Sequence, residues 1–493
     1  MKDNISKQYK KANKKVVENI NKEAKKITKK LDISDRVEEL PKKESFPLFK
    51  DHKQNFALDP QIRVINPTKS EIGKISKKML QDINEKIREK TNLQQWNCTG
   101  QAIEWFNNIQ NKNQMEFIQC DIESFYPSIS QSLLEDSIEF ARKYTLITEL
   151  TKSTIMNARQ TVLVSDSEVW QKTDSIFDVA MGAFDGAEIA ELVGLKILSE
   201  IKEKVPEVDF GLYRDDGVAV IKTGSGKKME DTKKKLIKVF KDNELKISIQ
   251  TRMHKVDFLD VTLDLHEGVH RPYKKPDNDI LYINKCSNHP ANVKKVLPGL
   301  IQNRLSGLSK NKEIFEESVQ DYNNALKKSG YNVKLDYEAK KTSTEEVKKN
   351  KQKKKTRKRK VLWYNPPFEQ SLDTNIGKEF LKLIDKHFGN KRDDNLHKII
   401  NRKTVKIGYS CGPNFGNILK AHNRQVLQKH KEENGQSSNA RKCNCRRGET
   451  CPLKGDCLSE AVVGETGASP TPGQVRFLLI TLEDSIMRLF PVY

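Results

Sequence analysis

The stretch Phe210-Gly-Leu-Tyr-Arg-Asp-Asp-Gly-Val-Ala-Val-Ile221 sets two adjacent carboxylates between two apolar runs. The runs predict short strands, and the Tyr213-Arg214-Asp215-Asp216-Gly217 segment predicts a tight turn between them. Carboxylates held between buried strands are costly unless something compensates their charge. A divalent metal does so, and two magnesium ions about 4 Å apart on carboxylates are the usual apparatus of in-line phosphoryl transfer. An ordinary hairpin closed by an Asp-Asp-Gly turn accounts for the string as well. Taken alone, the string leaves both readings open.

A second acidic site lies upstream, in Phe117-Ile-Gln-Cys-Asp-Ile-Glu-Ser-Phe-Tyr-Pro-Ser-Ile129. An apolar strand runs into Asp121, and the chain then turns through Phe125-Tyr126-Pro127 into a helix predicted from about Ser130. Two strands that each end in acid can bring three carboxylates to one metal pair. Asp-Ile-x-x-Phe-Tyr followed by Tyr-x-Asp-Asp resembles motifs A and C of a reverse transcriptase palm. The resemblance implies that Asp121 and Asp215 hold both magnesium ions and that Asp216 completes the catalytic set. It also implies that Tyr126 lies beneath the nucleotide sugar, where a 2′-hydroxyl would collide with it.

The resemblance extends to both sides. Phe46-Pro-Leu-Phe-Lys-Asp-His-Lys-Gln-Asn-Phe56 and Gln61-Ile-Arg-Val-Ile-Asn-Pro-Thr-Lys-Ser-Glu-Ile72 look like the two fingers strands. The Lys-x-His-Lys pattern is similar to that of Penelope-like retroelement enzymes. By that likeness Lys50, Lys53, Arg63 and Lys69 are candidates to grip the incoming triphosphate or the template backbone, since cations there neutralise developing phosphate charge. Plain surface basicity is the competing reading. Between the two acidic motifs, Ala180-Met-Gly-Ala-Phe-Asp185 resembles the motif B loop, with Gly182 allowing close backbone approach beside nucleotide and template-primer. The usual form has Pro-x-Gly then Ser or Pro. This chain departs from it, and Asp185 reads only as an acidic cap on the following helix.

With 493 residues and a net charge of +22, the chain can form about three domains and favours a polyanionic partner. No signal-like segment follows Met1, and no apolar run approaches the ~20 residues needed to span a bilayer. The fold class expected is α+β, a right-hand polymerase of fingers, palm and thumb with a basic linker and a small zinc-binding region. The expected domains are a basic helical segment (1–45), fingers and palm (46–270), a helical thumb-like unit (271–337), a basic linker (338–360), a C-terminal region (361–458) and a tail (459–493). Within the palm, Met229 to Asn243 predicts a helix, and Leu245–Gln250 and Val256–Leu265 predict strands. Lys246 and Lys255 are candidates to protonate departing pyrophosphate. Trp96, Trp105 and Phe106 read as core, and Ser70 to Trp96 as one helix.

Within the linker, Lys353-Lys-Lys-Thr-Arg-Lys-Arg-Lys360 reads as a nuclear localisation signal, a nucleic-acid contact or a merely solvated run. Four of the eight cysteines, Cys443, Cys445, Cys451 and Cys457, stand at C-x-C-x5-C-x5-C spacing. That spacing can close a tetrahedral zinc site in a reducing compartment, free structural thiols being the alternative. Gly464 to Gly473 reads as linker, and the GIY-YIG nuclease of Penelope-like elements is expected to be missing, as though the frame were truncated or fused to unrelated sequence.

The whole is identified as resembling a reverse transcriptase of a Penelope-like or related retroelement. Expected partners are an RNA template, a DNA primer or duplex and deoxynucleoside triphosphates, with no membrane and the oligomeric state open. The expected place of action is the nucleus. The alternatives are a domesticated or decayed copy that binds nucleic acid without catalysis and an RNA-templated RNA polymerase.

Overall fold

In the computed structural model the two acidic stretches become neighbouring strands of one sheet. The structure describes residues 8–36, 39–40, 44–49, 62–67, 70–165, 168–276, 280–339, 361–388 and 399–411, together with Ile5, Leu58 and a few positions between 419 and 426. The chain divides into two compact units, 1–409 and 410–493, and the elements that follow belong to the first.

In chain order the first strands are β1 (Tyr9–Lys11), β2 (Phe46–Phe49), β3 (Ile62–Ile65), β4 (Gln94–Gln95) and β5 (Met115–Ile122). Then come β6 (Leu163–Ser165), β7 (Glu168–Lys172), β8 (Asp209–Tyr213), β9 (Asp216–Lys222), β10 (Ile247–Met253), β11 (Lys255–Phe258), β12 (Val261–Asp264) and β13 (Val269–Pro272). The main helices are α1 (Lys14–Lys30), α2 (Glu71–Thr91), α3 (Thr99–Asn108), α4 (Gln131–Arg142), α5 (Glu149–Asn157), α6 (Gly186–Lys204) and α7 (Gly226–Asp242). Beyond them lie α8 (Ala291–Leu308), α9 (Lys312–Lys328) and α10 (Ile376–Phe388).

The central sheet runs β10-β5-β9-β8-β4, antiparallel except for the parallel β4–β8 pair. Its inner strands β5, β9 and β8 are covered on both faces, which is why they read as apolar runs, whereas the edge strand β10 alternates between half-buried and exposed residues. Ile118, Cys120 and Ile122 of β5, with Ala219 and Ile221 of β9, pack against Leu80, Ile83 and Ile87 of α2 and the apolar face of α6. The alternate residues Phe117, Val218 and Val220 pack the other way, with Trp96, Trp105 and Phe106 and with Val256, Phe258, Val261 and Leu263 of β11 and β12. Two of the helix starts carry serine caps: Ser70 Oγ accepts from Gly73 N–H at 3.0 Å, and Ser130 Oγ from Leu133 N–H at 3.1 Å. Among the described residues no helix is long and apolar enough to cross a membrane.

Several expectations need correction. Tyr9–Lys11 is not helical: it pairs with β7 before α1 begins. The helix from Ser70 stops at Asn92, which adopts the left-handed conformation, and Gln94–Gln95 joins the sheet instead. Val256–Leu265 is two strands, because Leu259 at φ 57° turns the chain between β11 and β12. The region from 271 opens with a strand, β13, before the helices α8 and α9, whose own small core includes Leu305, Phe315, Val319 and Leu326.

Candidate active site at the β5–β9 edge

Asp121 and Asp216 stand directly opposite one another on β5 and β9. The neighbouring pair carries the hydrogen bond, Ile122 N–H donating to the Asp215 carbonyl at 3.0 Å, so Asp121 and Asp216 form a non-hydrogen-bonded pair. In such pairs the side chains lie closest, with Cβ atoms about 4.5–5.5 Å apart. Strand alternation places Asp121 on the face of Phe117 and Asp216 on that of Val218, so both carboxylates lie where the β11–β12 side of the core ends. Tyr213 pairs with Asp216, which leaves Arg214 and Asp215 as the two residues of the turn. Arg214 takes φ 55°, a conformation a two-residue hairpin needs and an arginine resists. Its guanidinium lies 5.5 Å from the Tyr213 ring centre.

Electrostatics report the crowding. Burial pushes the Asp216 carboxyl up to about 6, the charges of Asp215 and Asp121 push the same way, and Lys275 opposes them. Burial, then Asp121 and Asp216, also push the Cys120 thiol up. Behind the turn, Cys120 Sγ and the Phe210 ring fill the space where Gly217 has no side chain. The three carboxylates are neighbours, not a closed cage: among the described residues no three Asp, Glu, His or Cys side chains converge on one metal position. Magnesium commonly takes one or two carboxylates and completes its shell with water and phosphate, so this donor set suits it.

Tyr126 lies at the side of this cluster, on the single helical turn Phe125–Ser128. Gly186, at the start of α6, is close by: a Cβ added there would meet the ring at 3.5 Å. Burial pushes its hydroxyl up, Arg214 opposes, and Asp215, Glu191 and Glu188 reinforce the rise.

The other sequence candidates fall in different places. Arg63 is exposed on β3, opposite Leu48. Gly182 is used by the chain's own fold: at φ 110°, a Cβ there would stand 2.6 Å from the Asn66 carbonyl just beyond β3. Asn66 N–H in turn donates to the Met181 carbonyl at 2.9 Å. Lys246 is ion-paired with Glu123 at 2.8 Å. Lys50, Lys53 and Lys69, the basic run 353–360 and Cys443, Cys445, Cys451 and Cys457 lie outside the described residues. Asp185 is no surface cap: it is buried against Arg159 and makes no capping hydrogen bond.

No family model matches the chain, and no curated protein matches it. Solved structures give low-scoring similarity. Telomerase from Candida albicans in complex with a fragment of telomeric RNA is 9% identical over 66% of this chain and 56% of its own, with a TM-score of 0.45. The RNA-dependent RNA polymerase of a human picobirnavirus is 10% identical over 63% of this chain and 61% of its own, at 0.40. Apo telomerase from Candida tropicalis is 11% identical over 63% and 62%, at 0.39. The chain spans less than two thirds of the length of each of these structures.

Sequence reading missed Lys275, whose charge reaches Asp216, and the buried Arg159. Lys275 belongs to the Arg271-Pro-Tyr-Lys-Lys-Pro276 string, which the sequence assigns to a thumb-like unit with basic side chains for the duplex and not to the carboxylates. Arg159 stands in a polar stretch with no periodicity to mark it as buried.

Proposed function

We propose that this chain is a template-directed nucleotidyltransferase of the reverse transcriptase kind, adding deoxynucleotides to a primer 3′-hydroxyl with release of pyrophosphate. One observation carries it: Asp121 faces Asp216 across two strands with Asp215 in the adjoining turn, a concentration of negative charge that needs a cation. Magnesium bound there would activate the 3′-hydroxyl and neutralise the phosphates. Asp121 and Asp215 would hold the ions, with Asp216 completing the set. Tyr126 would support the sugar and exclude a 2′-hydroxyl, and Arg63, with Lys50, Lys53 and Lys69, would draw the triphosphate or template backbone. Arg214 and Lys275 flank the carboxylates with positive charge suited to the primer and pyrophosphate.

The finer reading is a Penelope-like retroelement enzyme acting on an RNA template and DNA primer in the nucleus, with a structural zinc on Cys443, Cys445, Cys451 and Cys457. Metal analysis should then find about one zinc per chain, lost when Cys443 and Cys445 become serine. Primer extension on RNA and DNA templates, with deoxy- and ribonucleotides offered separately, tests the activity. Magnesium-dependent deoxynucleotide incorporation supports it. Binding without incorporation would favour a decayed or domesticated binder, and equal use of ribonucleotides an RNA polymerase.

A further inference from the structure

The loop 178–185 that leads into α6 is held at both ends by buried charge. Arg159 and Asp185 are 2% and 0% exposed and form an ion pair. Ser76 of α2 donates to the other Asp185 oxygen at 2.5 Å. At the loop's other end Asp178 is buried too, accepting from the Tyr9 hydroxyl at 2.9 Å, while its N–H donates to the Arg159 carbonyl at 2.9 Å. Burial works against the charged form of all three groups, and the Arg159 charge opposes it at both carboxylates. The Arg159 Nε has no partner.

Such a pair contributes little to stability that apolar side chains could not supply, because desolvation offsets its attraction. The loop it closes runs past the end of β3, where Asn66 N–H donates to the Met181 carbonyl at 2.9 Å, and past the Tyr126 ring. Gly182 presses on the Asn66 backbone at the end of β3. Gly186, next to Asp185, lies beside the Tyr126 ring with little room between: a Cβ added there would meet Cε1 at 3.5 Å. A polar ladder continues the same seam between α2 and α6: Gln81 donates to Glu188 at 2.9 Å and Arg88 to Glu191 at 2.6 Å.

We propose that Arg159 and Asp185 are positioning residues of the nucleotide pocket: their buried pair fixes loop 178–185 between β3 and the Tyr126 ring, and so sets where that ring stands relative to Asp121. This rests on the polymerase reading above. The pair touches no reacting atom and acts through Gly186 and Tyr126.

The test compares wild type with Asp185→Asn, Arg159→Lys and Arg159→Met, each first checked for a cooperative melt. Asp185→Asn should raise the deoxynucleotide KM about fivefold or more and lower discrimination against ribonucleotides by a similar factor, since small displacements in a reacting pocket are costly. Arg159→Lys, which keeps the charge, should be milder than Arg159→Met. A kcat that falls with the folded fraction, at unchanged KM and discrimination, overturns the proposal.

Hydrogen exchange gives a readout independent of activity. Asp185→Asn should speed exchange across residues 178–189 and leave Met115–Ile122 slow. Equal acceleration in both segments overturns the proposal. A wild type that extends no primer defeats the polymerase reading alone, and the exchange comparison then still decides whether the pair fixes the loop.

Discussion

Asp121 and Asp216 face one another across β5 and β9 as a non-hydrogen-bonded pair, with Asp215 in the adjoining turn. The register is dictated from both sides. The apolar residues of β5 and β9 sort without exception between two cores, and a slip by one residue would turn each set to the wrong face. The acidic pairing is therefore locked by hydrophobic burial some distance from the acids themselves.

Removing the three carboxylates one at a time should separate catalysis from binding. Asp121→Ala and Asp215→Ala should each abolish primer extension, and Asp216→Ala should reduce it severely. Duplex binding should persist in all three and weaken steeply with added salt, because lysine and arginine contacts release counterions. Filter binding beside an extension assay checks this. Near-normal extension by the Asp215 variant would sink the polymerase reading.

The raised Asp216 carboxyl predicts a pH dependence with a definite sign. Its folded value of about 6 exceeds the ordinary 3.8, so between those values the folded state binds more protons than the unfolded one. Stability without metal should therefore fall as pH rises through this window and stay reduced above it. After discounting for partial exposure the loss is about 1–2 kcal/mol. Asp216→Asn should thus raise Tm at pH 7.5 in EDTA, with the difference vanishing below about pH 4. Added magnesium should stabilise the wild type more than the variant. An asparagine variant less stable than wild type in EDTA at pH 7.5 would refute the crowding argument.

How much of this was legible in the sequence depends on how local each signal is. The hairpin carrying Asp215 and Asp216 was readable because carboxylates interrupt apolar runs at short range. The helix from Ser70 was readable from its apolar spacing, though not its end at Asn92. Gln94–Gln95 carries no apolar alternation, so its place in the sheet was invisible. The β11–β12 turn lacks glycine and proline, and Leu259 adopts its positive φ without a turn signature. Asp185 and Arg159 lie 26 residues apart, and only the folded chain brings them together. Gly182 was singled out for close backbone approach, and its neighbour proved to be Asn66 of the chain itself.

Tyr126→Ala should relax sugar selection. Its ring lies beside Gly186, and the charges of Arg214 and Asp215 in the acidic turn reach its hydroxyl. The expected result is a ribonucleotide kcat/KM that rises relative to the deoxynucleotide one by about tenfold or more, the scale of a modest steric discrimination. Single-nucleotide incorporation with both sugars measures it. Unchanged selectivity would remove Tyr126 from the sugar pocket.

Gly217 predicts a stability effect that a second substitution should relieve. It directly follows Asp216, and a Cβ placed on it would stand 2.5 Å from Cys120 Sγ and 3.0 Å from the Phe210 ring. Cys120 is fully enclosed in the core and cannot swing away, so the added methyl must push β9 from β5 or displace Phe210. Gly217→Ala should therefore cost about 1–3 kcal/mol, the usual range for overpacking a filled core. It should also lower extension in the molecules that remain folded, because the strained strand carries Asp216. Cys120→Ala removes the nearer obstacle, at the cost of a small cavity. The double variant should thus be more stable than the sum of the single losses, by about 0.5 kcal/mol or more, as expected of residues in contact. Urea denaturation of the four proteins provides the cycle. Strict additivity, or a Gly217→Ala variant as stable as wild type, would show that Cys120 does not confine this strand.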